Sequence, residues 1–447
     1  MTAYAEATVD SPWRGRHGRT TVGVFALAFL FAFEALAVAT VMPDVAAALD
    51  GLRWYAVAFA APLAASVVAV AVAGAQVDRL GPGPAMRRGL VLFCGGVVLA
   101  GLAPTMPLFL LGRLVHGFGG GVLGVALYVL IAQAYPERLR PQVFAVLTMG
   151  WVLPALVGPV IAAHVADAFG WRWVFLGVPV FAVAAWLLVA DAPSRAGGAT
   201  ERRPGRMRLS FLAAGGVLLV SVAGQRAVPA WPLVAIVGVV AIGLGGARLL
   251  PPGAWSLRPG LPAVLGARAG VGTAFAAAEI YIPLLLTLDR GLTLTEAGWV
   301  LTVGALTWSS GAVLSARWRR LADPPGRVRL GAALVAVGIG TFATVAVPGV
   351  PLAVPIVGWG MAGFGIGMAF STLSVLALAT AAPGEEGRAS SALQLNDYLT
   401  NSAGVALGSV VFAGFADTAP VAAATGLVVA AAVVGALALV PASRLRA

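Results

Sequence analysis

Fourteen apolar stretches, most about 20 residues long, follow one another along the chain with little between them. They cover 21–43, 54–77, 89–104, 107–134, 141–165, 173–191, 209–225, 229–247, 266–288, 297–316, 330–346, 350–381, 389–415 and 419–441. A bilayer core about 30 Å thick takes about 20 apolar residues per helix. Inside it each backbone N–H and C=O must be paired, in a helix or a closed barrel, and apolar runs of this length fit helices. The predicted fold class is therefore an all-α polytopic membrane protein with 14 spans. Charged residues make up 11% of the chain and hydrophobic ones 60%, where a soluble domain carries about 25% charged. Too few polar side chains remain to coat a folded surface in water. That excludes a soluble enzyme, a disordered chain and a disulfide scaffold. Cys94 is the only cysteine, and no Cys/His spacing suits a metal.

The basic residues test the span count. All 29 are arginine, against 18 acids, for a formal charge of +11. In a soluble chain that excess would suggest nucleic acid; in a membrane protein arginine collects in cytoplasmic loops, and no nucleic-acid partner is expected. With the N-terminus inside, 24 arginines fall in cytoplasmic loops and tails, counting Arg268 at the start of the ninth span among them. Only Arg53, Arg172, Arg226 and Arg290 fall outside, and Arg113 lies within a span. The asymmetry predicts a multi-pass protein of the cell inner membrane with both termini cytoplasmic. Arg14–Arg19, the following apolar run and Ala37-Val38-Ala39 also have the form of a signal peptide. Glu34 interrupts that run, and an uncleaved first span fits the alternation.

An internal repeat is visible. Glu34 and Glu279 lie 245 residues apart, Gly117-Phe118-Gly119 and Gly363-Phe364-Gly365 lie 246 apart, and Pro136 and Pro383 lie 247 apart. Two six-helix bundles are expected, 21–191 and 251–441, between a cytoplasmic tail (1–20) and a C-terminal tail (442–447). A basic linker (192–208) and two inserted helices (209–250) separate them. Both halves begin on the same side, which makes the repeat parallel; transporters so built bind substrate near the midplane, between halves.

After the second span come Gly74, Asp78, Arg79 and Gly81, then Arg87 and Arg88. A tight glycine turn with an Asp and an Arg at a helix end suits a hinge. The pattern resembles the loop 2–3 motif of the major facilitator superfamily, with Pro82-Gly83-Pro84 placed before the basic pair. Span four carries Arg113, His116, Gly117, Gly119 and Gly121, which resembles that family's R-x-x-Q-G-x-G pattern with His for Gln. Gly117 and Gly121 form a G-x-x-x-G step suited to close backbone approach. Span five carries Pro154, Gly158, Pro159, Ala162 and Ala163, a partial match to the motif that marks antiporters in the family; Trp171-Arg172-Trp173 follows. The resemblance implies a fourteen-span drug:proton antiporter, with Gly74, Asp78, Arg79 and Gly81 as gating residues and Pro154, Gly158 and Pro159 as antiporter-like ones. In the second half, Gly311, Arg317 and Arg327 echo the loop 2–3 motif.

Four charged residues are read inside the spans: Glu34, Arg113, Glu279 and Asp397. Charge at membrane depth costs about 2.5–3.5 kcal/mol on insertion scales, so these are functional candidates, here for proton coupling. Helical rise places Glu34 about 20 Å into span one from inside and Arg113 about 9 Å into span four from outside. The two depths agree, and Arg113 is expected to pair with ionised Glu34. Candidates to line a substrate cavity are Glu34, His116, Glu279, Gln394, Asn396 and Asn401; Gln394, Asn396, Asp397 and Asn401 form a polar stripe on span thirteen. No H-E-x-x-H, G-x-S-x-G or P-loop occurs. Transport would then draw on a proton gradient with no cofactor. The expected partners are a small amphiphilic substrate, protons and the bilayer, with the chain a monomer. Uptake symport by the same fold, or a membrane-embedded enzyme or lipid-handling protein, are the alternatives.

Overall fold

Many helices here open on proline, of which the chain has 29. Pro82, Pro107, Pro141, Pro232, Pro262, Pro283, Pro324 and Pro420 all sit in first turns, where the missing N–H would have no intrahelical partner. The structure is a computed structural model that describes residues 11–136, 138–193, 204–226, 229–317, 323–380 and 386–445. Its elements are α1 (Gly15–Ala48), α2 (Val57–Leu80), α3 (Pro82–Gly101), α4 (Met106–Ala134), α5 (Arg140–Phe169), α6 (Trp171–Leu176), α7 (Val178–Leu187), α8 (Pro204–Ala223) and α9 (Trp231–Leu249). They continue as α10 (Leu261–Glu279), α11 (Ile282–Leu288), α12 (Leu294–Arg317), α13 (Pro324–Phe342), α14 (Ala353–Ala379), α15 (Glu386–Phe415), α16 (Pro420–Leu437) and α17 (Leu439–Ser443). The described residues contain no strand. Eleven helices are long and apolar enough to cross a membrane. Where the sequence predicts spans five, six and seven, the apolar helical stretches are the shorter Leu153–Phe169, Trp171–Leu187 and Met207–Ala223.

Helix pairing repeats along the chain. α3 packs on α4 and α2 on α4; later, α13 packs on α14 and α12 on α14. Glycine makes both pairs possible. A Cβ on Gly112 would stand 2.8 Å from the carbonyl oxygen of Gly96, and one on Gly119 2.7 Å from that of Gly89. The counterparts are Gly358 at 2.8 Å from Gly338 and Gly365 at 2.6 Å from Gly331. No residue with a side chain fits so close a backbone approach. Gly117, one mark of the sequence repeat, lies against the backbone of Pro62 in α2, and its counterpart Gly363 against Gly304 in α12. Pro383 lies outside the described residues.

Two seams join the early helices to the late ones: α2 with α15, and α5 with α12. The pair α8–α9 lies beside the first, with α8 touching both α2 and α15. Several boundaries differ from the sequence reading. Span three starts at Pro82 rather than 89, because Pro82 and Pro84 open the helix instead of forming a loop. Gly81 alone joins α2 to α3, at φ +79°, a conformation glycine adopts without penalty. Span nine begins at Leu261, five residues before the predicted 266, and breaks after Glu279, where Pro283 has no N–H to offer the Glu279 carbonyl.

Candidate functional site

Glu34 sits in the interior of α1 with 2% of its surface exposed, and Arg113 and His116 of α4 are equally closed off. Arg113 and His116 are three residues apart and so share one face of their helix. Arg113 pairs directly with Glu34 through Nη1 and Oε1. Its Nε donates to the Ala58 carbonyl of α2 at 3.2 Å, so one guanidinium ties three helices. His116 Nε2 lies 2.9 Å from the second Glu34 oxygen, and its Nδ1 is 3.4 Å from Arg113 Nη1. Arg113 is always a donor, so Nδ1 accepts and Nε2 carries the proton that faces Glu34. A neutral imidazole satisfies both contacts. The expected Glu34–Arg113 pair is thus present in the geometry, and His116, read from sequence as a cavity residue, completes it.

Glu279 stands at the end of α10, where the span breaks, and has no hydrogen-bond or ion-pair partner among the described residues. The next residue carries the contact. Tyr55 O–H donates to the Ile280 carbonyl at 2.9 Å, with both residues buried. The Tyr55 ring lies 6.1 Å from Tyr281 and 6.1 Å from Phe412, and Tyr281 lies 5.2 Å from Phe412. The Arg53 guanidinium donates to the Gln225 carbonyl and the Gln225 side-chain amide to the Arg53 carbonyl, at 3.2 Å each, and Arg53 lies 3.6 Å from Asp417. This end of the bundle, where α1 ends and α2 begins, is therefore closed between early and late helices. No signal in the sequence singled out Tyr55 or Tyr281, because an aromatic residue at a span end reads as an interfacial anchor.

Arg268 corrects the loop count. It belongs to α10, inside a membrane-crossing helix, and forms a bidentate pair with Asp397 of α15: Nε at 2.9 and 3.0 Å, Nη2 at 2.8 Å. Its Nη1 donates to Ser374 Oγ at 3.0 Å, and its guanidinium covers the Phe370 ring at 4.0 Å. The polar stripe on α15 does not act as one surface. Asn396 is buried and donates to the Leu265 carbonyl at 3.3 Å; Asn401 accepts from Thr273 Oγ1 at 3.3 Å. Both face α10 rather than an open cavity, and only Gln394 lines one.

In the loop 2–3 motif, Gly74 is half-buried within α2, Arg79 is exposed near its end, and the Asp78 side chain lies outside the described residues. Of its echo, Gly311 lies against the Phe364 backbone of α14, Arg327 donates to the Ser315 carbonyl, and the Arg317 side chain is outside the described residues. Pro154 and Pro159 are accommodated within continuous α5. Gly158 is not in a tight contact: a Cβ there would meet Phe33 at an ordinary 3.4 Å. The close approaches on α5 are Gly150, whose added Cβ would stand 2.7 Å from that of Ala28, and the Pro159 carbonyl oxygen, 3.1 Å from a Cβ on Gly298 of α12.

Residues 24–405 match the family model described as Major Facilitator Superfamily. A probable multidrug-efflux transporter of Mycobacterium tuberculosis is 29% identical over 96% of this chain and 95% of its own length. A multidrug resistance protein B homolog of the same species is 28% identical, covering 76% of this chain and 66% of its own. Among solved structures, a D-xylose-proton symporter superposes with a TM-score of 0.68 at 15% identity, covering 94% of this chain and 97% of its own. A bacterial homolog of the human lysosomal transporter Spinster, inward-facing and unoccupied, gives 0.69 at 15% identity over 96% and 98%.

Proposed function

The chain belongs to the major facilitator superfamily, whose members are transporters rather than enzymes, and on that premise we propose that it is a proton-coupled exporter of small amphiphilic compounds. Its multidrug-efflux relatives support drug efflux as the activity. In this reading the three shorter apolar helices also cross the membrane, which makes fourteen spans with both termini cytoplasmic. Residues 21–191 and 251–441 are the two moving halves, and 209–250 adds a helical pair beside them.

The observation that carries the reading is the Glu34–Arg113–His116 cluster, an ionisable network closed off from solvent on α1, α2 and α4. A proton taken up by Glu34 removes the negative partner of Arg113. An uncompensated buried cation is strongly unfavourable, by about 3–5 kcal/mol when a buried pair loses one member. Protonation therefore favours an arrangement in which Arg113 finds another partner or water, and return to the paired arrangement expels the proton. Coupling of this kind needs no cofactor.

Everted membrane vesicles test the proposal. With the lumen acidified, the wild-type chain should accumulate a fluorescent amphiphile in the lumen, and loss of fluorescence from the medium reads the direction. Release instead of accumulation would make it an uptake symporter. Glu34→Gln should abolish accumulation against a gradient while leaving downhill exchange. Normal accumulation with normal pH dependence in that variant would remove Glu34 as the proton site and move attention to Glu279 or Asp397.

A further inference from the structure

A cavity of about 120 Å³, open at its mouth, runs into the early helices. None of the acids singled out in the sequence lines it. Its walls are apolar: Leu27 and Phe31 of α1, Leu90 and Phe93 of α3, and Leu127 of α4. Tyr128 of α4 and Gln394 and Tyr398 of α15 also line it, so the cavity borders both halves. α1 runs from Gly15 to Ala48 and the cavity meets it at residues 27–31. The cavity therefore lies away from the closed end where Tyr55 binds Ile280.

The deep wall separates the cavity from the charged cluster by a single ring. Phe31 and Phe93 stack with centroids 6.2 Å apart, and Phe93 lies 4.8 Å from the ring of His116, which contacts Glu34. Glu34 is spent on Arg113 and His116, and Asp397 on Arg268. A cation entering here would give up hydration and find no free carboxylate, which is unfavourable. An uncharged ring compound would trade water for aromatic and aliphatic walls. A polar group on it could lie beside Tyr128, Tyr398 and Gln394, whose hydroxyls and amide offer hydrogen bonds.

We infer that this cavity is the ligand site and that it takes uncharged aromatic compounds with one polar end, in preference to lipophilic cations. The inference rests on the exporter reading and names its substrate class.

Gly124 supplies the test. It lines the cavity, and a Cβ added there meets no atom within 4 Å, so a larger side chain can grow into the space without displacing backbone. The full chain, purified in detergent, is dialysed against 2-naphthol and against trimethyl(2-naphthyl)ammonium, one ring system with and without charge. The wild-type chain should bind the neutral probe at least tenfold more tightly. Gly124→Phe should weaken that binding at least tenfold with an unchanged unfolding temperature; if it does not fold, Gly124→Leu carries the same expectation. Absent naphthol binding, equal or tighter binding of the cation, or naphthol binding untouched by the filled cavity would each overturn the inference. So would a co-purified lipid, identified by mass spectrometry, that only Gly124→Phe releases. The exporter reading fails separately, if vesicles show no proton-driven flux of any compound while naphthol still binds.

Discussion

Tyr55→Phe isolates one bond between the two halves. It keeps the ring that lies beside Tyr281 and Phe412 and removes only the hydroxyl that donates to Ile280. The Ile280 carbonyl is available to that hydroxyl because α10 has already ended and α11 has not begun. Without Tyr55 it is a buried acceptor with no replacement, which costs about 1–3 kcal/mol. That cost falls on the arrangement with this end closed; once the end opens, water can satisfy the carbonyl. The open population should therefore rise by about 5- to 150-fold relative to closed. Spin labels at Ala48→Cys and Thr418→Cys, both exposed at this end and one on each side of the closure, can read the change after the only native thiol is removed by Cys94→Ser. Pulsed dipolar spectroscopy should show the short distance of the closed state losing weight to a longer one. An unchanged distance distribution would refute the reasoning, because the bond would then contribute nothing to keeping this end shut.

Arg268→Ala should leave half-buried Asp397 without a counter-charge and lower stability, by less than the cost of about 3–5 kcal/mol for a fully buried pair, read as earlier thermal unfolding in detergent; Arg268→Ala with Asp397→Ala should recover most of it. Gly150→Leu, against Ala28, should impair folding or transport, whereas Gly158→Ala should leave both within twofold of wild type, read by expression and vesicle flux. Reporter fusions after Arg203 and Arg327 should both report the cytoplasm and a fusion near Asp289 the outside; opposite results for the first two would break the fourteen-span topology.

The apolar runs made helices legible because the bilayer leaves no other way to pair the backbone, and the glycine marks on spans four and twelve pointed to the helix pairs that recur. Depth could be counted along each span, which is why Glu34 and Arg113 could be matched across two helices. Direction around a helix could not. Asn396 and Asn401 look like cavity residues until α10 is seen beside them. Arg268 lies a few residues from the end of its span, where a long side chain reads as snorkelling to the interface; only the neighbouring Asp397 shows that it turns inward. Gly158 carried a motif's glycine without its close contact, since closeness belongs to the neighbour as much as to the residue. The cavity was invisible for the same reason: six early helices and α15 enclose it, and most of its lining residues, taken singly, are ordinary apolar ones.

The α8–α9 pair makes the molecule mechanically one-sided. α8 lies across the α2–α15 seam, with Gly224 against the backbone of Val410 in α15 and Gln225 bonded to Arg53 just before α2. Among the described residues the opposite seam, α5–α12, has no such clasp, and Leu153, Ile161, Trp299 and Val313 on those helices face outward. If the Tyr55 end opens as the proposed cycle requires, the clasp must strain or slide on one flank, while the other flank parts at the Thr295–Asp167 hydrogen bond and the Gly298–Pro159 approach. The two halves cannot swing apart like the covers of a book pressed evenly. One edge carries a binding, and a molecule arriving sideways through the lipid meets an uncovered joint on a single flank.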